Sequence, residues 1–219
     1  MYANITKSLI ERLKEEQNRL SLRIVFKPLN KKNGKIAGVD VSYKGEEIFC
    51  SVVILSFPEL KLINVYNKKG KVDFPYIPGF LSFREMPIIL NTFDRVKENC
   101  FLIFCDGQGI AHPRGFGLAS HIGTLLKIPS IGCAKSRLVG EYTEPDLKRG
   151  SFSKLIYKGI EVGVALRTRE NTKPIFVSAG NYIDLESSIY YTLCCARYRI
   201  PEPTRLAHKH VTLFKNSFS

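Results

Sequence analysis

The sequence predicts an α/β fold in which helices cover both faces of a mixed β-sheet. Three strand-like segments with short turns between them come first, which is typical of an antiparallel meander. Helical patterns and short apolar runs then alternate, as they do around parallel strands, and two helical segments close the chain. A chain of 219 residues with 44% hydrophobic residues can bury a sizeable core. We therefore expect residues 1–219 to form a single domain.

The first elements in chain order are an amphipathic helix and the meander. Ile5, Leu9, Leu13 and Leu20 recur near helical spacing among lysines and glutamates, so residues 5–20 are predicted to be helical. The three strands of the meander are predicted over residues 35–43, 47–57 and 60–67. A basic stretch at residues 68–71 is interpreted as a turn-rich connection.

Helical spacing and short apolar runs define the later elements in the same way. The predicted strands cover residues 101–105, 130–134, 162–168 and 175–178. The predicted helices cover residues 84–98, 116–127, 184–197 and 204–215.

Three acids occupy informative places in this order of elements. In the ribonuclease H-like architecture a meander leads to a helix and then to a central parallel strand. Nucleases with this architecture carry one acid on the first strand, one on the following helix and one at the end of the fourth strand. Asp40, Glu85 and Asp106 match those places. Clustered carboxylates can hold Mg²⁺, which activates water and neutralises charge on a phosphate.

Each acid has an ordinary alternative. Asp106-Gly107 is also a common turn dipeptide, although it follows a buried strand, where ligand sites gather in α/β sheets. Asp40 could be a strand-edge charge, but its valine neighbours predict burial, which is costly for an unpaired acid. Glu85 fits a helix capping box with Ser82, so a cap and a metal ligand both remain open for it.

Three basic side chains are further candidates. His112 lies in the glycine loop beyond Asp106 and could position a phosphate or a water, or be an unremarkable loop histidine. Lys135 follows a strand and would project from the same edge, unless it is a solvated loop lysine. His208 lies on the last predicted helix, either on its solvated face or as a fourth residue of the metal site.

Residues 74–81 form an unusual aromatic, proline-containing loop. Pro75 and Pro78 would stiffen it while it presents Tyr76 and Ile77. A packed connection is one interpretation. The other is a wedge, since proteins that open a duplex push rigid apolar side chains between bases. A nuclease that must extrude a base to inspect it needs such a wedge.

Charge and cysteine use restrict the partners and the compartment. The formal charge of +13 favours a polyanion, nucleic acid first and anionic membrane second, although it could serve solubility alone. No apolar run approaches the roughly 18 residues of a membrane span, and the N-terminus lacks a signal-peptide pattern. Six cysteines without a Cys-x-x-Cys pair indicate reduced, buried thiols. We expect a cytoplasmic monomer that binds nucleic acid and no membrane.

Taken together, these motifs resemble the endonuclease V family, the deaminated-purine (inosine) endonucleases. The wedge phrase at residues 74–85 and the Asp-Gly-Gln-Gly-Ile-Ala-His-Pro-Arg phrase at residues 106–114 are the most specific. Further matching segments cover residues 37–41, 117–121, 132–138 and 201–208. The N-terminal helix and residues 141–160 lie outside the resemblance. At residues 178–181 the chain has Ser-Ala-Gly-Asn where the family pattern has Gly-His, so no role is assigned to that loop.

The resemblance implies a ribonuclease H-like fold and hydrolysis that depends on Mg²⁺, with Mn²⁺ as a substitute. It implies that Asp40, Glu85 and Asp106 bind metal, and that Lys135 and His208 belong to the catalytic group. The substrate-binding residues that it implies are Tyr76, Ile77, Pro78, Gly79, Leu81, His112, Gly117 and Leu138. The substrate would be inosine in single- or double-stranded DNA, cut at the second phosphodiester bond on its 3′ side; an endoribonuclease acting mainly on RNA is the alternative.

Two other classes are less compatible with the sequence. Actin-like ATPases share the fold, but the chain is short for their two domains and lacks a second phosphate loop. A non-catalytic nucleic-acid binder would not place three acids inside a basic protein, because acids repel phosphate unless a metal lies between them.

Overall fold

An eight-stranded mixed sheet organises the protein, and the computed structural model describes residues 7–218 of it. The strands are β1 (Gly34–Lys44), β2 (Glu47–Phe57), β3 (Leu62–Lys71), β4 (Leu102–Cys105), β5 (Ser130–Ala134), β6 (Phe152–Tyr157), β7 (Ile160–Leu166) and β8 (Ile175–Asn181). The helices are α1 (Lys7–Ser21), α2 (Leu81–Phe93), α3 (Leu118–Leu126), α4 (Leu185–Cys195) and α5 (Glu202–Asn216).

The sheet has the order β3-β2-β1-β4-β5-β8-β7-β6. The meander β1-β2-β3 is antiparallel, as the sequence predicted, whereas β1, β4 and β5 pair in parallel. The strands from β5 to β6 return to antiparallel pairing. The parallel centre matters for function, because it brings the carboxyl ends of β4 and β5 to one edge.

Helices cover both faces of the sheet, which confirms the predicted architecture. Residues of α4 and α5, such as Tyr191 and Ala207, pack with Ile36 on one face. Residues of α2 and α3, such as Met86 and Ile122, pack on the other face with the β1 residues of opposite parity. Asp40 shares its parity with Ile36, so β1 directs it toward the face that carries α5.

Several predicted boundaries need correction. The basic stretch at residues 68–71 is the end of β3 and not a turn, and Lys69 forms an ion pair with Glu47 of β2 at 2.6 Å. The strand β6 was not predicted, because only Leu155 of its six residues is buried and an exposed edge strand lacks an apolar run. The N-terminal helix is present, but Ile5 lies outside the described residues.

The helix predicted over residues 84–98 lies at Leu81–Phe93. Its N-cap is Phe80, which makes no side-chain capping hydrogen bond, so Ser82 and Glu85 are both inside the helix. The capping-box interpretation of Glu85 is therefore wrong. Pro87 had suggested a start near residue 84, but it lies in the second turn.

The cysteines are free, as the sequence predicted, but one of them is not buried. Five cysteines are buried free thiols and Cys194 is exposed and free. Within residues 7–218, no helix has both the length and the apolar character required to cross a bilayer.

Candidate active site

Asp40 and Asp106 lie side by side where β4 ends. The parallel pairing of β1 with β4 places Val39 opposite Cys105, and the Asp106 amide donates to the Val39 carbonyl at 3.4 Å. The next residue of each strand is an aspartate, so the register makes the two carboxylates neighbours. Their side chains are only 12% and 16% exposed.

Helix α5 brings His208 to this pair. A Cβ at Gly38 would lie 2.1 Å from the Pro203 carbonyl oxygen, so a glycine is required for the start of α5 to lie against β1. His208 Nδ1 is 2.8 Å from Asp40 Oδ2. Of the two interpretations of His208, the structure thus supports its place beside the acids.

Asp40, Asp106 and His208 offer ligand atoms that all lie within 4.8 Å of one another. Burial raises the pKa of Asp40 and the charge of Asp106 raises it further, while the hydrogen bond with His208 lowers it. Two partly buried carboxylates this close repel each other, and a cation between them would remove that repulsion. The two carboxylates offer the oxygen ligands that hard divalent cations prefer, so these residues fit a divalent metal.

Lys135 belongs to the same edge. It follows β5, which runs parallel to β4 with Gly132 opposite Cys105. Its ammonium group is 2.5 Å from Asp106 Oδ2, and its side chain remains 43% exposed. The lysine is therefore an ion-pair partner of the acidic group and not a solvated loop residue.

Glu85 approaches from the other face of the sheet, on α2. It is buried and accepts a hydrogen bond from the Tyr43 hydroxyl at 2.9 Å. Burial raises the pKa of Glu85 to about 8, and the charges of Asp40 and Asp106 raise it as well, against the effect of Tyr43. Glu85 is outside the group of atoms within 4.8 Å, so its role as a third metal-binding acid stays a prediction.

The aromatic loop projects from the protein between β3 and α2. Tyr76 is 65% exposed and Pro78 is exposed, whereas Phe80 at the base of the loop is buried. Gly79 has a φ of +80°, a backbone conformation that residues with a Cβ rarely adopt. The loop therefore presents a tyrosine on a fixed base, which is the arrangement that a wedge needs.

His112 supports the base of this loop. It is buried, its Nε2 lies 3.1 Å from the Gly79 carbonyl oxygen, and its Nδ1 accepts from the Arg114 amide at 3.3 Å. Burial lowers the pKa of His112 to about 4, with a further contribution from Arg114. A neutral ring with both nitrogens engaged holds the loop, and a contact of this ring with phosphate stays a prediction.

A cavity of about 340 Å³ lies between the loop, the start of α3 and Asp106. Its walls include six predicted substrate-binding residues: Tyr76, Gly79, Leu81, His112, Gly117 and Leu138. Asp106 and Lys135 also line it. One depression thus connects the loop to the acidic group.

Sequence reasoning missed Ser82 and Gln108 in this cavity. The Gln108 side-chain amide donates to the Ser136 carbonyl at 3.1 Å. Among residues 7–218, Gln108 Oε1 and Ser82 Oγ are buried without a hydrogen-bond partner. One feature of the sequence could have indicated Gln108, namely its position between two glycines of the loop. A side-chain amide that is buried beside a sharp turn usually has a hydrogen-bond partner, so an unpaired amide oxygen there suggests a ligand.

Residues 178–181, interpreted from the sequence as a loop without a role, are the end of β8 and have a structural role. Asn181 is buried, its Oδ1 accepts from the Val25 amide at 2.8 Å, and its Nδ2 donates to Thr124 at 2.9 Å. Ser178 Oγ accepts from the Gly109 amide at 2.8 Å. The end of β8 therefore holds the glycine turn and the segment after α1 in place.

Comparison with known proteins gives a consistent family. The family model described as Endonuclease V matches residues 18–209. A curated relative from Thermosipho melanesiensis, named endonuclease V, is 45% identical over 214 residues, which cover 97% of this chain and 94% of that protein.

Solved structures agree. The crystal structure of endonuclease V from Streptomyces avermitilis is 38% identical with a TM-score of 0.90, covering 95% of this chain and 94% of that one. An endonuclease V from Ciona intestinalis, in complex with a 24mer DNA containing an inosine followed by a ribo-adenosine, is 28% identical with a TM-score of 0.87. That match covers 97% of this chain and 100% of the other.

Proposed function

This chain belongs to the endonuclease V family and is therefore a nuclease, a phosphodiester hydrolase; on that premise we propose that it nicks nucleic-acid strands that contain inosine. The cut falls at the second phosphodiester bond on the 3′ side of the lesion. Water adds to phosphorus, the bond from phosphorus to the 3′ oxygen breaks, and that oxygen takes up a proton. The products are a 5′ phosphate and a 3′ hydroxyl.

The observation that carries the proposal is the continuity between the cavity and the acidic group. Asp106 lines the cavity and also belongs to the group with Asp40 and His208. A base held in the cavity keeps its own strand beside these acids. Recognition and hydrolysis can therefore act on the same strand.

The cavity suits a hypoxanthine base. Helix α3 starts at the cavity wall, and its N-cap Gly117 provides no side-chain capping bond. The Gly117 and Ala119 amides already donate to the Gly109 and Gln108 carbonyl oxygens, whereas the Leu118 amide has no acceptor among residues 7–218. An amide of this kind at a helix start donates well to an oxo group such as the one at C6 of hypoxanthine. Adenine carries an amino group there, which leaves a buried donor unpaired at a cost of about 1–3 kcal/mol.

The loop provides the means to reach a stacked base. Tyr76, with Ile77 and Pro78 beside it, enters the stack where the lesion leaves it. The exposed ring replaces lost stacking, since one base–aromatic contact is worth about 1–3 kcal/mol. The neighbouring cavity accepts the extruded base.

Asp40, Glu85 and Asp106 would hold the divalent metal that nucleases of this family use, here Mg²⁺ with Mn²⁺ as a substitute. When bound, such an ion supplies charge neutralisation at the phosphate and lowers the pKa of water. Lys135 adds a positive charge beside Asp106, where the scissile phosphate must lie. His208 holds Asp40 in orientation through the 2.8 Å hydrogen bond.

The test uses end-labelled strands that differ only in one base, inosine or adenine. We expect nicking of the inosine strand with Mg²⁺, no nicking with EDTA and no nicking of the adenine strand. Three versions of the strand, all DNA, all RNA and DNA with one ribonucleotide after inosine, separate the DNA and RNA alternatives. The third matches the nucleic acid held by the Ciona intestinalis relative. Equal nicking of inosine and adenine strands would overturn the proposal.

A further inference from the structure

The carbonyl group of Gly79 is the meeting point of three side chains. Gln17 Nε2 donates to it at 3.1 Å, the Arg114 guanidinium donates at 2.6 Å, and His112 Nε2 lies 3.1 Å away. Two of these side chains come from the loop after β4, while Gln17 comes from α1, 62 residues before Gly79. The base of the wedge loop is thus tied to a distant helix.

Gln17 uses its whole amide group in this contact. Its Nε2 also donates to the Phe116 carbonyl at 3.3 Å, and its Oε1 accepts from Arg114 Nε. The side chain is 0% exposed. Burial of an amide is costly unless it is hydrogen-bonded, so a fully satisfied, fully buried glutamine fixes the groups around it closely.

The two carbonyl groups that Gln17 binds belong to two different segments of the cavity wall. Gly79 lies in the wedge loop and lines the cavity, and Phe116 directly precedes Gly117, which also lines it. The Arg114 guanidinium also stacks over the Phe80 ring at 4.3 Å, which further restricts movement at the base of the loop. One side chain of α1 therefore sets the separation between the wedge loop and the start of α3.

We propose that Gln17 is a positioning residue for base extrusion, which holds the wedge loop at a fixed distance from the cavity that receives the base. This inference rests on the proposed function. Opening a duplex requires the loop to insert between stacked bases. A flexible loop would be displaced by the bases instead of separating them. A base in a single strand is already free to enter the cavity, so the requirement for a rigid loop is weaker there.

The informative variant is Gln17→Met, which keeps the volume and removes every hydrogen bond of the amide. A second variant, Gln17→Glu, keeps an acceptor for Arg114 but cannot donate to the two carbonyl groups. Both should behave alike if donation to Gly79 and Phe116 is what matters. Ser188→Ala is the matched control, because Ser188 is also buried and donates to one carbonyl, that of Asp184, on α4.

The first measurement does not depend on activity. Amide hydrogen exchange, followed by mass spectrometry on peptides covering residues 72–80, should accelerate in both Gln17 variants and stay unchanged in Ser188→Ala. Peptides from β1 and β4 should exchange as in the wild type. Calorimetric binding of Ca²⁺ should also be unchanged, since the acidic group is not touched.

The second measurement compares nicking of inosine in a duplex and in a single strand, at a temperature where all variants are folded by circular dichroism. Both Gln17 variants should lower the duplex-to-single-strand ratio of kcat/KM by about tenfold, since small misplacements of positioning groups cost up to about 100-fold. Unchanged loop exchange, or equal loss on both strands, would overturn the inference. A wild-type protein that ignores inosine would instead overturn the proposed function, and the exchange result would still decide the role of Gln17.

Discussion

The Tyr43 hydroxyl donates a hydrogen bond to Glu85 Oε1 at 2.9 Å, which joins the first strand to the helix that carries the third acid. The Arg84 guanidinium stacks over the Tyr43 ring at 4.6 Å and holds the ring in place. The hydroxyl lowers the pKa of Glu85 against the larger effect of burial. Tyr43 therefore favours the ionised form of the carboxyl group and fixes its direction.

Tyr43→Phe should weaken metal binding without unfolding the protein. Partners that orient a metal-binding carboxylate typically contribute about 10- to 100-fold in affinity, so we expect at least a tenfold rise in the Mg²⁺ concentration at half-maximal nicking. Tyr66→Phe is the matched control, because Tyr66 makes a similar bond to Glu98 at 2.8 Å on β3. If the two variants have the same Mg²⁺ midpoint, Tyr43 has no role in the metal site.

The sequence could predict that Asp40 and Asp106 lie close together, because their placement depends on local rules. Asp40 interrupts an apolar run inside β1, Asp106 directly follows β4, and the parallel register of the two strands makes these positions neighbours. Glu85 was identified, but its helix was predicted to begin at residue 84, three residues after its actual start at Leu81. The reason is that Ser82 and Pro87 are residue types that are common at helix starts.

Contacts between distant segments could not be predicted in the same way. Gln17 and Arg114 are 97 residues apart, and neither belongs to a sequence pattern from which their hydrogen bond could be predicted. The sequence suggested that His112 could position a phosphate. Its burial against Gly79 follows instead from how two loops pack. Such roles are fixed by tertiary packing, which strand and helix periodicity does not encode.

Asp106→Asn should abolish nicking while it preserves the fold. The substitution keeps the shape of the side chain but removes the charge that attracts the metal and the Lys135 ammonium group. We expect a loss of more than about 100-fold in kcat, with a melting temperature close to that of the wild type. Asp94→Asn, at the exposed end of α2, changes the net charge equally and should nick normally. Nicking at the wild-type rate by Asp106→Asn would remove this acid from the site.

Tyr76→Ala should separate duplex from single-strand substrates. The exposed ring contributes little to folding, so the variant should keep its stability and its metal affinity. Loss of one stacking contact of about 1–3 kcal/mol should lower duplex nicking roughly tenfold, and single-strand nicking much less. Tyr190→Ala, which removes an exposed tyrosine from α4, should change neither substrate. Equal losses on both substrates would indicate a packing role for Tyr76.

Acid should destabilise the protein through two buried histidines. Burial lowers the pKa values of His112 and His121 to about 4, below the value near 6.5 of an unfolded chain. The unfolded state therefore takes up protons first as the pH falls, and stability is lost between pH 6.5 and 4. Each ring should contribute up to about 1.4 kcal/mol per pH unit to the fall in the free energy of unfolding.

Urea denaturation of the wild type and of His121→Phe between pH 7 and pH 5 measures this effect. His121 packs between Phe83 and Phe116, so phenylalanine keeps the ring contacts while it removes the titrating group. Contributions from the acids cancel in the comparison. The variant should lose stability less steeply, and parallel curves would show that His121 does not remain neutral in the folded state.

The ion pair between Lys135 and Asp106 leads to two opposite effects of one substitution. In the structure the ammonium group lies 2.5 Å from Asp106 Oδ2, where it competes with any cation that this carboxylate could bind. Removal of the lysine leaves the negative charge of Asp106 without this ion-pair partner. During hydrolysis, by contrast, the same positive charge helps to neutralise the phosphate.

Lys135→Ala should therefore bind metal more tightly and nick more slowly. We expect the affinity for Ca²⁺ in calorimetry without nucleic acid to rise a few-fold, because a positive charge next to the site has been removed. The kcat of nicking should fall by about 10- to 100-fold, while the Kd for an inosine strand changes less, since one phosphate contact is only part of the salt-dependent affinity. Lys148→Ala carries the same change in net charge at an exposed position and should show neither effect. If Lys135→Ala binds metal less tightly, the lysine supports the acidic group instead of competing for it, and the assignment of its charge to the phosphate would be wrong.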